Sequence, residues 1–449
     1  MEYGKVVVLD GTGDEDADLQ PILDTLTRVL QPDGAQVETF ALRKMKMAHC
    51  QGCFACWIKT PGLCVAADDA RAVFRAIVHS DVLVQFSPVS FGGCTPELKK
   101  IRDRFVQLIL PFFRLEHGEA HHPPRYARRP RLVTVGVQRA ANAAEAHLFR
   151  MLAGRNAINF HPPSYAAEVV QATDDPPTLE ARFAALRERS DSLPFGEEVA
   201  TLMPQAAAIT TPVENVGARR ALLVVGSPKL REPSTSSALA RLAAERLEKR
   251  GWTTETLTLR ASLDRAEGKA ELLAAAERAG LLLFVFPLYV DALPYLMTRA
   301  LTVLAKRFRG GADAVPRRLA AIVNCGFPEA HQNALALAIC REFAAQTGFA
   351  WAGGLAIGGG GMIGGQVLHQ EKRPGGPVGR MVAAIERAAA ELADGGSIPV
   401  EAVQQLRKSP LPAVLWGRLY AWMAGRGFRR LAARNGISAG ELRARPYEV

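Results

Sequence analysis

At 449 residues the chain exceeds what one ordinary hydrophobic core organises, so two or three domains are expected. With 48% hydrophobic and 22% charged residues, it has neither a disordered nor a fibrous composition. The net charge of +10 is uneven, with nine basic against three acidic residues from Ile398 to Val449; no basic-and-aromatic recognition pattern accompanies it, so nucleic acid is not an expected partner. The chain opens Met1-Glu2-Tyr3-Gly4 and passes straight into the apolar run Val6–Leu9, without a signal-peptide pattern. Apolar stretches such as Leu281–Leu288 are too short to span a membrane. Four of the seven cysteines crowd between Cys50 and Cys64, so reduced thiols in a cytoplasm are the expected setting.

In the first half, strands are expected at Lys5–Leu9, Gln36–Phe40, Val82–Phe86, Leu132–Val137 and about Ala166–Val170, with helical spacing between them. Runs rich in Val, Leu and Ile without alternation suit strands buried on both faces of a parallel sheet. In such sheets ligands sit beyond the carboxyl ends of the strands, so the loops after each strand carry the information. The first loop, Gly11-Thr12-Gly13-Asp14-Glu15-Asp16, sets three acids at a helix start. They complement the helix dipole but repel a phosphate dianion, so this turn is not expected to hold one.

After the second strand comes Cys50-Gln51-Gly52-Cys53-Phe54-Ala55-Cys56-Trp57, then Lys59-Thr60-Pro61-Gly62-Leu63-Cys64 and Asp68-Asp69. Four thiolates at Cys-x2-Cys-x2-Cys-x7-Cys spacing can ligate an iron–sulfur cube. They can equally hold a tetrahedral zinc or act as an acidified dithiol. The loop resembles that of iron–sulfur flavoproteins, and also that of relatives with Cys-x-Gly-Cys-x-x-Cys-Trp, Pro-Gly-x-Cys and an Asp-Asp pair, which often carry no cluster. The first resemblance implies [4Fe–4S] ligation by Cys50, Cys53, Cys56 and Cys64; the second implies four ordered loop thiols. Ser87-Pro88-Val89-Ser90-Phe91-Gly92-Gly93-Cys94 resembles a flavin-ring loop, with Ser90 where the second half has Tyr289.

A seam near Leu193–Arg219 precedes a second copy of the plan. Strands are expected at Ala221–Val225, Thr253–Leu257, Leu281–Phe286, Leu319–Asn324 and Gly353–Ile357, and helices at Ser237–Arg250 and Gln332–Thr347. Its first loop runs Gly226-Ser227-Pro228-Lys229-Leu230-Arg231-Glu232-Pro233-Ser234-Thr235-Ser236-Ser237 into a helix. Backbone N–H groups, the helix dipole, the hydroxyls of Ser227, Ser234, Ser236 and Ser237, and the charge of Lys229 all suit a phosphate monoester. A plainly capped turn would use the same residue types. The third and fourth strands end in Pro287-Leu288-Tyr289-Val290-Asp291 and Asn324-Cys325-Gly326-Phe327-Pro328-Glu329. Proline and glycine stiffen these loops, Tyr289 and Phe327 offer apolar faces, and backbone amides can meet the polar edge of a planar ring.

These three loops, each after a strand and in this order, resemble the NAD(P)H-dependent FMN reductases of the flavodoxin-like superfamily over about Arg219–Ala390. The phosphate loop departs from the pattern, being lengthened by Glu232-Pro233 and carrying Lys229 where arginine is more usual. The resemblance implies two tandem flavodoxin-like doubly wound parallel sheets plus a C-terminal helical extension. The segments are 1–195, a linker 196–218, an FMN domain 219–395 and a tail 396–449. It implies FMN on Ser227, Lys229, Ser234, Ser236, Ser237, Pro287, Leu288, Tyr289, Val290, Asp291, Asn324, Gly326, Phe327 and Glu329, with NAD(P)H as co-substrate. No side chain need then be catalytic, because the flavin carries the chemistry to a small acceptor such as a quinone, nitro compound, free flavin or metal. An iron–sulfur electron carrier fed by ferredoxin, or a non-catalytic module on a degenerate scaffold, are the alternatives. One half has a phosphate loop without cysteines and the other has cysteines without a phosphate loop. A fused pseudo-dimer is therefore expected, with the cysteine loop facing the other half's flavin and further homo-oligomerisation open.

In the tail, Pro412–Leu431 sets Leu415, Trp416, Leu419, Tyr420, Trp422, Met423 and Phe428 near one face, with Arg418, Arg426, Arg429 and Arg430 elsewhere. Such a helix more often docks on its own protein than on an anionic membrane surface, and docking is the expectation here.

Overall fold

The computed structural model describes residues 4–31, 34–195, 197–201, 219–229, 234–310, 317–361, 368, 376–408 and 412–448. The first sheet contains β1 (Lys5–Asp10), β2 (Gln36–Ala41), β3 (Val82–Ser90), β7 (Arg131–Gln138) and β8 (Tyr165–Gln171) in the order β2-β1-β3-β7-β8, all parallel. The short strands β4 (Gly93–Cys94), β5 (Arg114–Glu116) and β6 (Glu119–His121) form antiparallel hairpins outside this path. The second sheet has β9 (Arg220–Val225), β10 (Thr253–Thr258), β11 (Leu281–Pro287), β12 (Arg318–Asn324) and β13 (Ala350–Ile357) in the order β10-β9-β11-β12-β13. Both orders are the doubly wound flavodoxin type, whose switch point lies between the first and third strands.

The apolar pattern holds for the inner strands. It fails at β2 and β10, the sequences QVETFA and TTETLT, where every position is exposed or half-buried. Both are edge strands, so only part of each needs burial and Thr, Gln and Glu are tolerated. Helices cover both faces of the first sheet. Val7, Leu9 and Leu83 pack against Phe74, Leu98 and Ala157 on one side, while Val8, Val84 and Val135 meet Leu26 and Phe183 on the other.

The chain divides into two compact units, residues 1–195 with 418–449, and residues 196–417. The expected tail is therefore shared out. Within the second unit, Ile398 is buried and its N–H donates to the Ala352 carbonyl (2.8 Å), ahead of the helix Val400–Arg407. The last residues belong to the first unit. Tyr447 is buried there: its hydroxyl donates to Gln107 Oε1 (3.0 Å), and its carbonyl lies 2.7 Å from His79 Nε2. The buried Arg125 donates to the carbonyls of Leu442 (3.0 Å) and Ala444 (2.8 Å). Of the expected linker only residues 197–201 are described, including the short helix Glu197–Ala200. Among the described residues no helix is long and apolar enough to cross a membrane.

Candidate functional site

Each sheet begins its switch-point crevice with the same backbone device. The N–H of Gly11 donates to the Phe86 carbonyl (2.8 Å), and that of Gly226 donates to the Val285 carbonyl (2.9 Å). Neither position has room for a side chain. A Cβ on Gly11 would lie 2.7 Å from Leu98 Cβ, and one on Gly226 would lie 2.1 Å from Met297 Cγ and 2.8 Å from Phe286 Cβ. The first strand of each domain thus exits against the third strand and beneath the helix that follows it.

In the second domain the loops named from sequence form one hydrogen-bonded rim. Ser234 caps the helix Thr235–Glu248, accepting from the Ser237 N–H (3.1 Å), and its hydroxyl lies 2.8 Å from that of Ser237. The buried Ser236 donates to Asn324 Oδ1 (2.8 Å), and the Leu288 N–H donates to the Asn324 carbonyl (2.8 Å). Ser227 is buried at the end of β9, while Lys229 is exposed. Residues 230–233, which include Glu232 and Pro233, lie outside the described residues. After β11, Tyr289 and Ala292 exchange backbone hydrogen bonds (2.9 and 3.2 Å) around Val290 and Asp291. Both turn residues are left-handed, with φ of 47° and 57°. A β-branched residue there is a true outlier, costing about 1–3 kcal/mol, and such strain gathers at ligand clamps. Tyr289, Phe327 and Glu329 are half-buried and Gly326 is exposed.

Sequence reasoning missed two contributors to this rim, the glycine run after β13 and Arg260. The glycine run after β13 closes it: Gly359 N–H donates to Phe327 O (2.6 Å), Gly360 N–H to Cys325 O (2.7 Å), and Thr235 Oγ1 to Gly360 O (3.1 Å). A glycine run directly after a predicted strand was the available signal. Arg260 Nη1 lies 3.5 Å from the carbonyls of both Ser227 and Lys229, bringing a second cation to the first loop. Cys325 is buried, and burial pushes its thiol up to about 12, with a backbone hydrogen bond at Phe327 opposing. It is therefore a packed thiol at neutral pH.

In the first domain the corresponding turn is filled by the protein's own acids. Asp16 Oδ2 accepts from the Gly13 N–H (2.8 Å), and Asp10 Oδ1 accepts from the N–H (2.9 Å) and hydroxyl (2.6 Å) of Thr12. Arg43 reaches Asp10 Oδ2 (2.5 Å), and Arg139 reaches Asp16 Oδ1 (2.9 Å). Carboxylates here take the amides a phosphate would need, so the residues do not fit that group. Beyond β3, Ser90 pairs with Gly93 around Phe91 and Gly92, left-handed with φ of 54° and 84°, which is the same hairpin as at Tyr289–Ala292.

The cysteine loop is held from several sides. Asp68 Oδ2 accepts from the Ala48 N–H (2.8 Å) and from Arg104 Nη1 (2.7 Å), and Asp69 accepts from the Lys46 N–H (2.7 Å). The Asp-Asp pair thus anchors the strand of chain that leads into Cys50. Burial opposes ionisation of Asp68, but Arg104 and the Ala48 N–H outweigh it and hold its carboxyl below the ordinary range. Trp57 Nε1 donates to the carbonyls of Val106 (2.8 Å) and Ile109 (3.1 Å), fixing the short helix Ala55–Ile58. Burial raises the Cys50 thiol to about 12; Asp103, Cys64 and Cys53 add to the rise and the Gly52 N–H opposes it. Burial raises Cys56 too, with Cys50, Cys64 and Cys53 contributing. All four thiols are free, and Cys53 is exposed. Among the described residues no three His, Cys, Asp or Glu side chains form a metal-holding group. As placed, the four sulfurs do not form a closed donor set.

Residues 5–171 match the family model described as NADPH-dependent FMN reductase. The match lies in the first domain, whereas the sequence-based expectation placed the likeness to FMN reductases at Arg219–Ala390. An iron–sulfur flavoprotein of Archaeoglobus fulgidus is 29% identical over 102 residues, covering 23% of this chain and 46% of that protein. One of Methanocaldococcus jannaschii is 26% identical over 108 residues, covering 24% of this chain and 55% of that protein. The chain thus spans about half the length of these curated relatives. Among solved structures, an NAD(P)H:quinone oxidoreductase from Methanothermobacter marburgensis aligns over 41% of this chain and 96% of its own, at 16% identity and a TM-score of 0.33.

Proposed function

We propose that the chain is an FMN-dependent NAD(P)H oxidoreductase whose flavin is held by the second domain, about one per chain. The observation that carries this reading is the continuous rim at the β9/β11 switch point, where a capped helix start, a left-handed hairpin and two stiff loops are tied together by Ser236, Asn324 and Gly360. The first-turn N–H groups of Thr235–Glu248 have no intrahelical acceptors and, with Lys229 and Arg260, would hold the phosphate. Pro287–Asp291 and Asn324–Glu329 would flank the ring and limit water on one side. Bound there, FMN would accept a hydride from the nicotinamide and release electrons to a small acceptor such as a quinone, nitro compound, free flavin or metal.

The test is an FMN titration of the purified chain, followed by NAD(P)H. One flavin per chain, bleached by the nicotinamide, supports the proposal. Two flavins per chain, or full flavin retention when Ser236→Ala and Asn324→Ala are combined, overturns the site assignment. A second reading, an iron–sulfur flavoprotein, draws on the names of the relatives and on the four gathered thiols at Cys50, Cys53, Cys56 and Cys64. Broad visible absorption beyond the flavin bands, lost in Cys50→Ser or Cys53→Ser, would support it.

A further inference from the structure

The helix Ala413–Arg434 has two faces with different fates. One packs on the first domain. Tyr420 and Ala432 are buried, and Phe428 meets Phe54 and Trp57 edge-on, with ring centroids 5.8 and 5.1 Å apart. The other face leaves Leu419 at 40%, Trp422 at 60% and Met423 at 36% exposure. Positions 419, 422 and 423 share one helical stripe, so these side chains form a continuous apolar ridge. Arg418, Arg426, Arg429 and Arg430 are exposed around it, and the Arg426 guanidinium sits 5.2 Å from the Trp422 ring centroid. No acidic residue occurs between Glu401 and Glu441, so nothing on this helix offsets its arginines.

We propose that this face docks the protein on an anionic lipid bilayer. The apolar ridge enters the boundary between headgroups and acyl chains, while the surrounding arginines meet lipid phosphates. Charge selects this occupant. A second copy applied face to face would set the same arginines against one another, with no carboxylate on the helix to relieve them. An anionic bilayer satisfies both the ridge and the cations. Because Tyr420, Phe428 and Ala432 already fix the helix from behind, the binding face is ordered before contact and little ordering entropy is lost on docking.

The experiment is co-sedimentation of the full chain with vesicles of equal parts phosphatidylglycerol and phosphatidylcholine, and of phosphatidylcholine alone. Binding is expected only to the anionic vesicles and should fall as salt rises. Leu419→Glu with Trp422→Glu should lower it more than about tenfold, and Arg418→Gln or Arg430→Gln by about fivefold each. These side chains are exposed, so an unchanged melting temperature verifies the fold of each variant. Absence of anionic-vesicle binding, or binding unaltered by the Leu419/Trp422 change, overturns the proposal. A Trp422-dependent dimer without vesicle binding would assign the face to a second copy.

Discussion

The turns after β1 and β9 start from the same geometry and end with opposite electrostatics. In each, a glycine with no room for a Cβ passes under the third strand's helix and the chain then enters a helical turn. At the third residue after the cap the first domain carries Asp16, bound to the Gly13 amide and to Arg139; the second carries Ser237, hydrogen-bonded to its cap Ser234. A helix start is satisfied by either an internal carboxylate or an external anion. A doubly wound domain can therefore satisfy this helix start from within or leave it open to an external anion.

That comparison predicts a transplant. Ser237→Asp gives the second domain the first domain's arrangement, with a carboxylate at the helix start. The helix should be as stable as before or more so, because an acid there complements the dipole. FMN affinity should fall on the order of a hundredfold, through repulsion of the phosphate dianion. Fluorescence titration with FMN, beside a urea melt, separates the two effects; unchanged affinity would break the comparison. Next in size, Gly11→Ala and Gly226→Ala should each cost about 2 kcal/mol, because a methyl group overpacks Leu98 in one case and Phe286 and Met297 in the other. Only Gly226→Ala should lower the flavin content of the purified protein. If Gly11→Ala does so equally, the first domain holds flavin as well.

The fold was legible because each half buries its inner strands on both faces, leaving unbroken apolar runs from Lys5–Asp10 to Ala350–Ile357. The loops Pro287–Asp291 and Asn324–Glu329 could be singled out as candidates because ligand sites in such sheets follow strand ends. What escaped notice depends on contacts distant in sequence. Arg260 approaches Ser227 from the end of a neighbouring strand, 33 residues away. Tyr447 belongs to the first domain's core although 340 residues separate it from Gln107. No local pattern distinguishes a tail that completes a domain from one that hangs free. The acids at Asp14–Asp16 were readable as a helix start, but Arg43 bracing Asp10 was not, because that pairing crosses from β1 to the turn after β2.

The smallest effect asks whether a hydroxyl at the helix start serves the helix or the ligand. Ser234 caps Thr235–Glu248, whereas the first domain opens its helical turn with Gly13, which has no side chain to offer. Replacing a serine cap by alanine costs about 1 kcal/mol, and by glycine only a few tenths. Ser234→Ala should thus lower stability by about 1 kcal/mol, and Ser234→Gly should nearly preserve it. If the hydroxyl also reaches the phosphate, both variants lose FMN affinity to a similar extent, by about tenfold for one hydrogen bond to a charged group. If it is only a cap, affinity follows stability and Ser234→Gly binds flavin as the parent does. Denaturant melts paired with FMN titrations of the two variants distinguish these outcomes, and the second would remove the Ser234 hydroxyl from the phosphate's contacts.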